Sequence, residues 1–340
     1  MSRPKTLYFL PILISAAIFL SSGTAFSQNP SEFFENLKKN PPPVPTLGGI
    51  HFWGDIYFYQ EWRIQHNAML KSYRLLDPTS RQYAFGTREQ CEKRLAELKG
   101  TIPEVKGRVL VLMHGLAANR LTMQRMAGWF RQRGNYVAVI NITYPSSEIT
   151  VRSQAAMLGE IIKNLDFATE IDLVGHSLGS IIIRCYLGNP PGGEKGKLPD
   201  PRIRRFVQLC PPNGGSGYAK AAGDFQISQN FAGGPIRDLG LTYAEMRSEF
   251  GVPACEFGIV AGGLDNDSGY SSMLDGDDDG VIPVSTTPLE NAADYVLLKA
   301  NHAIIPNMVE TFEHVERFLE NGYFRTEELK KKIFVVDFVE

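Results

Sequence analysis

The stretch that most limits what this chain can become runs Ile171-Asp172-Leu173-Val174-Gly175-His176-Ser177-Leu178-Gly179-Ser180-Ile181-Ile182-Ile183. An apolar segment of strand length leads into Gly-His-Ser-Leu-Gly, and a second apolar segment, continued by Arg184, Tyr186 and Leu187, leaves it as a helix. A G-x-S-x-G motif between a buried strand and a helix requires a tight turn. That turn is expected to hold Ser177 in a strained backbone conformation, with Gly175 and Gly179 where side chains would strike the neighbouring strand or helix. The hydroxyl would then stand at a helix N-terminus, where free N–H groups and the helix dipole favour negative charge.

Around this turn, strands and helices alternate. Buried strands are predicted at 108–113, 136–142, 203–210, 256–262 and 295–298, besides the one entering the turn. Amphipathic helices are predicted at 120–133, ending at Gly134, at 151–165, and at 303–319, the last carrying Ile304, Met308, Phe312, Val315 and Phe318. This alternation implies a mostly parallel sheet with helices on both faces. Ligands of such sheets bind at the C-terminal ends of the strands, where His114-Gly115 and Ser177 both fall.

The flanks read differently. Residues 1–27 have the pattern of a signal peptide: Arg3 and Lys5, an apolar run from Leu7 to Leu20, then small residues with a cleavage point after Ser27. The apolar run is about 14 residues, shorter than the roughly 20 of a membrane span. The expectation is export to the periplasm or the exterior, with a retained N-terminal anchor as the alternative. Residues 28–47 read as a flexible leader, 48–322 as the main domain and 323–340 as a tail with a further strand. Within the domain, Trp62, Ile64, His66 and Ala68 alternate with Arg63, Gln65 and Asn67, which suggests a strand with one wet face. Ser72–Leu76 would be its hairpin partner. These aromatic-rich residues form either an antiparallel edge to the main sheet or a surface facing substrate. Thr87 and Gln90 open a helix to Leu98 with a capping box. Residues 211–253 read as a cap or lid inserted over the site, with a helix at 242–250 and an apolar lining of Phe225, Ile227, Phe231, Ile236 and Leu239; a surface excursion without substrate contact is the alternative.

Composition excludes some classes. The net charge is −2, and Lys and Arg are scattered, so there is no electrostatic case for a nucleic-acid partner. Cys185 and Cys210 read as buried free thiols. No C-x-x-C or Cys/His spacing suggests a metal.

A serine hydroxyl needs a base to take its proton and a carboxylate to orient that base. In a strand–turn–helix context of this kind the order is Ser, acid, His. His302, in a loop after the last short strand, is the expected base. His314, mid-helix beside Glu313 and Glu316, is expected to be solvated. The acid is sought among Asp265, Asp267, Asp275, Asp277, Asp278 and Asp279. Asp279 is favoured because Gly280-Val281-Ile282 would pin it at the sheet edge, with Asp277 or Asp278 as alternatives. The same loop, Asp275 to Gly280, matches the opening of a calcium loop, but Thr286 stands where a bidentate Glu belongs. The backbone N–H groups of Leu178 and Leu116 are the expected oxyanion donors.

Taken together, His114-Gly115-Leu116, Gly175-His176-Ser177-Leu178-Gly179, Asp279-Gly280-Val281 and His302 resemble the α/β-hydrolase superfamily, and within it bacterial lipase-like esterases and inositol-deacylase-like lipases. The resemblance spans roughly Val105 to Leu319. It implies an α/β-hydrolase fold and ester hydrolysis through an acyl-enzyme, without metal or organic cofactor. It also supports Asp279 as the acid, since the Asp before Gly has that role in these lipases. Ser180 stands where many relatives have Gly. The expected partner is a small-molecule or lipid ester, with transient contact at a membrane surface. The alternatives are a thioesterase, amidase or lactonase using the same residues, or an idle α/β-hydrolase serving as a binding module.

Overall fold

The computed structural model describes residues 44–45, 53–67, 69–146, 149–215 and 234–334. The predicted signal peptide, most of the leader, Phe225, Ile227 and Phe231 of the lid, and residues 335–340 of the tail lie outside the described residues.

The N-terminal part builds its own sheet. Strands β1 (Val44–Pro45), β2 (Trp53–Tyr59), β3 (Trp62–Asn67), β4 (Tyr73–Leu76) and β5 (Arg81–Gly86) pair antiparallel in the order β1-β5-β4-β3-β2. The aromatic segment is therefore a separate five-stranded sheet and not an edge of the main one. Helix α1 (Arg88–Lys99) packs on it through Cys91 and Leu95 against Ile64 and Leu75. Its N-terminus carries the expected capping box: Gln90 N–H donates to the Thr87 side chain, and the Gln90 side chain accepts from the Thr87 N–H. The predicted wet face of β3 is dry: Arg63, Gln65 and Asn67 are all buried. This face turns toward the end of a main-sheet strand, where Arg63 donates to Asn141 O at 3.0 Å and Asp55 N–H to Thr143 O at 2.8 Å.

The main sheet is parallel. Strands β6 (Gly107–Met113), β7 (Ala138–Ile142), β8 (Ala168–His176), β9 (Ile203–Leu209), β10 (Glu256–Gly263) and β11 (Asp294–Lys299) lie in the order β11-β10-β9-β8-β6-β7. A 3-10 turn at Arg120–Met123 leads into helix α2 (Gln124–Arg133), and α3 (Val151–Lys163), α4 (Leu178–Gly188), α5 (Gly234–Leu239), α6 (Tyr243–Phe250) and α7 (Val309–Asn321) follow. Alternate strand residues face opposite sides, as a period of two dictates. Val109, Val111, Ile171 and Leu173 pack with Leu158, Ile162, Ile181 and Ile182 of α3 and α4. Leu110, Leu112, Val174 and Val260 pack on the other face with Phe130 of α2 and with Phe312, Val315 and Phe318 of α7. Each large aliphatic side chain so buried contributes about 1.5–3 kcal/mol. The parallel sheet thus has helices on both faces, the mostly parallel α/β architecture expected, and a sharp turn at Ser177 joins β8 to α4.

The strand order reverses once. From β6 the chain moves outward to β7, then crosses back to β8 on the other side of β6. The crevice at the C-terminal ends of β6 and β8 is thus a topological switch point.

Two local expectations need correction. The last helix starts at Val309, not 303, because Pro306 supplies no N–H and a 3-10 turn at Ile305–Asn307 takes its place. Ile304 is consequently half exposed rather than on the apolar face. Of the possible tail strand at 333–336, Val335 and Val336 lie outside the described residues; Ile333 exchanges backbone hydrogen bonds with Asn291 and Ala292. In the inserted segment, the helix at 242–250 is present with a second capping box, Thr242 and Glu245, and Leu239 is buried in the core. Both feet of this segment are held by one buried side chain of α4: Arg184 donates to Asn213 O at 3.0 Å and to Gly251 O at 2.8 Å.

Candidate active site

Ser177 ends β8 and caps α4 with φ 55° and ψ −124°, a region that L-residues avoid. The elbow closes this tightly only because its flanking glycines lack Cβ atoms. A methyl on Gly175 would lie 2.5 Å from Ser180 N, and one on Gly179 would lie 2.6 Å from the carbonyl oxygens of Met113 and His114. The turn is further fixed by Ser177 N–H donating to Leu209 O at 2.9 Å and Ser180 Oγ donating to Gly175 O at 2.7 Å. Ser180 therefore uses its hydroxyl within the turn itself.

The loop leaving β6 closes on Ser177. A Cβ on Gly115 would sit 3.1 Å from Ser177 Cβ and 3.5 Å from Ser177 Oγ. His114 is buried, stacks on Tyr144 at 4.2 Å between ring centroids, and accepts the Tyr144 hydroxyl on its carbonyl. Ala117 takes a positive φ of 51°, so this loop too is held in an uncommon conformation. Leu178 N–H, at the first position of α4, has no intrahelical acceptor. Neither Leu178 N–H nor Leu116 N–H donates to a backbone carbonyl elsewhere among the described residues.

His302 and Asp279 meet. His302 Nδ1 lies 2.6 Å from Asp279 Oδ2, and His302 N–H donates to Asp279 O at 2.8 Å. The other carboxylate oxygen of Asp279 accepts from Val281 N–H at 2.9 Å and Ile282 N–H at 2.7 Å. Burial alone would raise the Asp279 pKa. The hydrogen bond and charge of His302 and the two backbone donors outweigh it and hold the carboxylate below its usual range.

The sequence alternatives to Asp279 are engaged elsewhere. Asp277 accepts from Leu264 N–H and Asp265 N–H, and Asp278 from Ser271 N–H and Gly280 N–H. Asp277, Asp278 and Asp279 of the would-be calcium loop are turned to three different stretches of chain rather than to a shared centre. Among the described residues, the side chains grouped closely enough to hold a metal ion are His176, Cys210 and His302, with ligand atoms within 4.8 Å of one another.

Two neighbours of His302 were not anticipated. His176, the residue before Ser177, packs its ring 4.7 Å from that of His302 and makes a 3.0 Å contact from Nε2 to His302 O. Burial pushes its pKa down to about 3, and the His302 ring adds to this. Cys210, just past β9, is fully buried with φ 46°, and its thiol lies close enough to Asp279 to feel that carboxylate. Burial and that carboxylate push the thiol pKa well up. Cysteine next to an apolar strand gives no local sign of such a contact. Ser177 Oγ makes no hydrogen bond to another described residue, whereas Asp279 and His302 are joined.

No protein-family model matches this chain, and no curated protein matches it in sequence. Solved structures similar to it include the product of the gene lin2722 from Listeria innocua, at 16% identity and TM-score 0.45 over 69% of this chain and 99% of that one. Another is the Bacillus licheniformis lipase BlEst2 in mature form, at 18% and 0.46 over 64% and 92% of the two chains. A third is phospholipase PlaB from Legionella pneumophila, at 17% and 0.41 over 54% and 45%. These likenesses are of fold, and none assigns a substrate to this chain.

Proposed function

We propose that this protein is a serine ester hydrolase working through an acyl-enzyme on esters with an apolar acyl group. Ser177 is the nucleophile, His302 the general base and acid, and Asp279 the residue that orients His302. Leu116 and Leu178 are the oxyanion donors. The observation that carries the reading is the 2.6 Å bond between His302 Nδ1 and the buried Asp279. It fixes the tautomer, so that Nε2 is the nitrogen left to take a proton.

In the reaction, Ser177 Oγ attacks the ester carbonyl carbon while its proton passes to His302 Nε2. The carbonyl oxygen becomes an alkoxide held by the two N–H donors. The intermediate collapses with cleavage of the ester C–O bond, and Nε2 returns the proton to the departing alcohol. Water then repeats the sequence on the acyl-enzyme and releases the acid. For the first step the hydroxyl must come within about 2.6–3.2 Å of Nε2, a contact that commonly tightens only when substrate binds.

The triad is indifferent to whether the bond is an ester, thioester, amide or lactone. A panel of p-nitrophenyl esters of rising chain length beside matched thioesters and anilides separates these. The decisive test is fluorophosphonate labelling with mass mapping. The label belongs on Ser177, and Ser177→Ala should lower ester turnover by about 10⁶-fold at unchanged Tm. Labelling elsewhere, or retained turnover in the variant, removes Ser177 from the mechanism. Export remains part of the proposal, supported by the charged, apolar and small-residue succession of residues 1–27.

A further inference from the structure

Three guanidinium groups share one buried polar cluster between the antiparallel sheet and the C-terminal end of β7. Arg63 donates to Asp55 Oδ2 at 3.1 Å and to Asn141 O at 3.0 Å. Arg74 donates through Nε to Gln65 Oε1 at 2.8 Å, its guanidinium lying 4.0 Å over the Trp53 ring. Arg120, in the turn before α2, donates to Ser80 Oγ, and Asn141 Nδ2 donates to Arg120 O at 2.8 Å. The three side chains are 2%, 7% and 8% exposed.

Among the described residues one carboxylate, Asp55, serves this cluster, and its capacity is used. Oδ1 accepts from Gln65 at 2.8 Å, and Oδ2 accepts from Arg63 and from Thr143 N–H at 2.7 Å. The nearby acids are committed. Glu61 takes Arg131 Nε with both oxygens, and Asp77 takes the Thr79 and Arg81 backbone N–H groups. Two donors are left over: Arg74 Nη2 and Arg120 Nε are buried with no hydrogen-bond partner. Burial foremost, with repulsion among the guanidinium groups, lowers Arg74 and Arg120 to about 10, which still leaves both charged at neutral pH. Three positive charges against one negative leave an excess of two under the surface, which proteins do not ordinarily tolerate without a counter-ion.

We propose that Arg63, Arg74 and Arg120 form an anion site for a phosphate group, as a phosphate monoester or inorganic phosphate. Two features select phosphate. Its charge of about −1.5 to −2 at neutral pH matches the excess, where a carboxylate matches half of it. Its several acceptor oxygens suit the unused edges of planar guanidinium groups from different directions. The small residual exposure of Arg74 and Arg120 places the cluster just beneath solvent, within reach of a headgroup or a free ion. Arg120 lies four residues beyond Leu116, so a bound phosphate would tie the antiparallel sheet to the loop beside Ser177. The site is independent of the esterase reading, and its test does not use turnover.

The experiment is thermal unfolding of the full chain at constant ionic strength in chloride, acetate or phosphate. It is paired with flotation on phosphatidylcholine vesicles with and without phosphatidic acid. Phosphate at about 100 times its Kd should raise Tm by roughly 4 °C, with acetate no better than chloride. Arg74→Gln and Arg120→Gln should lose that response, and without phosphate should melt no lower than the wild type, since each removes an uncompensated buried charge. Phosphatidic-acid-dependent flotation that both variants lose assigns the site to a lipid headgroup. A phosphate response without flotation assigns it to a soluble phosphate. An equal response to acetate overturns the phosphate assignment. A wild type indifferent to phosphate overturns the site, whatever the variants do, and leaves water as the partner of those two donors.

Discussion

The two ends of the parallel sheet handle buried polar groups in opposite ways. At the end where the strands begin, everything is matched. Asp172, fully buried, accepts from Arg108 Nε at 2.6 Å, from Arg204 at 3.2 Å and from the Tyr136 hydroxyl at 3.0 Å. Arg108, Arg204 and Arg205 also converge on Leu319 O near the C-terminus of α7, where the helix dipole is negative. At the end where the strands finish, conformations are strained and partners are missing. Ser177 sits at φ 55°, and His176 Nδ1 is buried without a hydrogen-bond partner. Buried polarity alone therefore marks nothing in this molecule. The distinction is between a network that closes on itself and one that leaves valences for something else to meet.

This contrast can be tested by damaging each end in turn. Asp279→Asn at the working end should lower kcat by about 10⁴-fold while Tm moves little, because the tautomer and not the packing is lost. Asp172→Ala at the closed end should do the reverse. It leaves Arg108 and Arg204 facing an empty buried position and should cost about 3–5 kcal/mol in denaturant unfolding, with kcat per folded molecule unchanged. If Asp172→Ala instead lowered kcat at constant stability, the division of labour between the ends would be wrong.

Acid titration sharpens the comparison. His176 has its pKa lowered in the fold from 6.5 to about 3. The unfolded chain thus takes up a proton below about pH 6.5 that the folded chain refuses, and stability from this group is full above that pH and falls as pH drops toward 3. Stability measured from pH 6.5 to 4 should fall more steeply in the wild type than in His176→Asn, by up to about 1.4 kcal/mol per pH unit. Parallel slopes would mean that His176 is protonated in the fold. The smallest effect belongs to a site remote from both ends: Thr87→Ala removes the α1 cap and should cost about 1 kcal/mol in denaturant unfolding, with no change in turnover.

Much of this architecture was legible in the residues. Most parallel strands carry an apolar run of ordinary length, as in Val109–Met113 and Ile259–Ala261, so their burial on both faces is written directly into composition. The elbow and the Thr87 capping box are short-range motifs whose partners lie within a few residues. Where the partner is distant, the reading failed. Arg63, Gln65 and Asn67 look like a solvated face, because alternation separates polar from apolar without saying which side is covered. His314 looks solvated beside Glu313 and Glu316. It is buried, with Nδ1 bonded to Glu310 O at 2.7 Å and its ring 6.4 Å from Phe324. Adjacent aspartates are likewise nearly equivalent locally. The following Gly280-Val281-Ile282 favours Asp279, but it is the fold that turns Asp277 to the 264–265 backbone and Asp278 to Ser271 while Asp279 meets His302.

The double link between residues 279 and 302, one bond through side chains and one through backbone, joins two loops into a single clasp. Asp277 and Asp278 knot the base of the acidic loop independently, while its apex stands clear, with Met273 78% exposed and open space around Gly276. The apex is accordingly a splice point: a foreign peptide or reporter inserted near Met273 would travel with the protein and leave the clasp between residues 279 and 302 as a self-contained cassette.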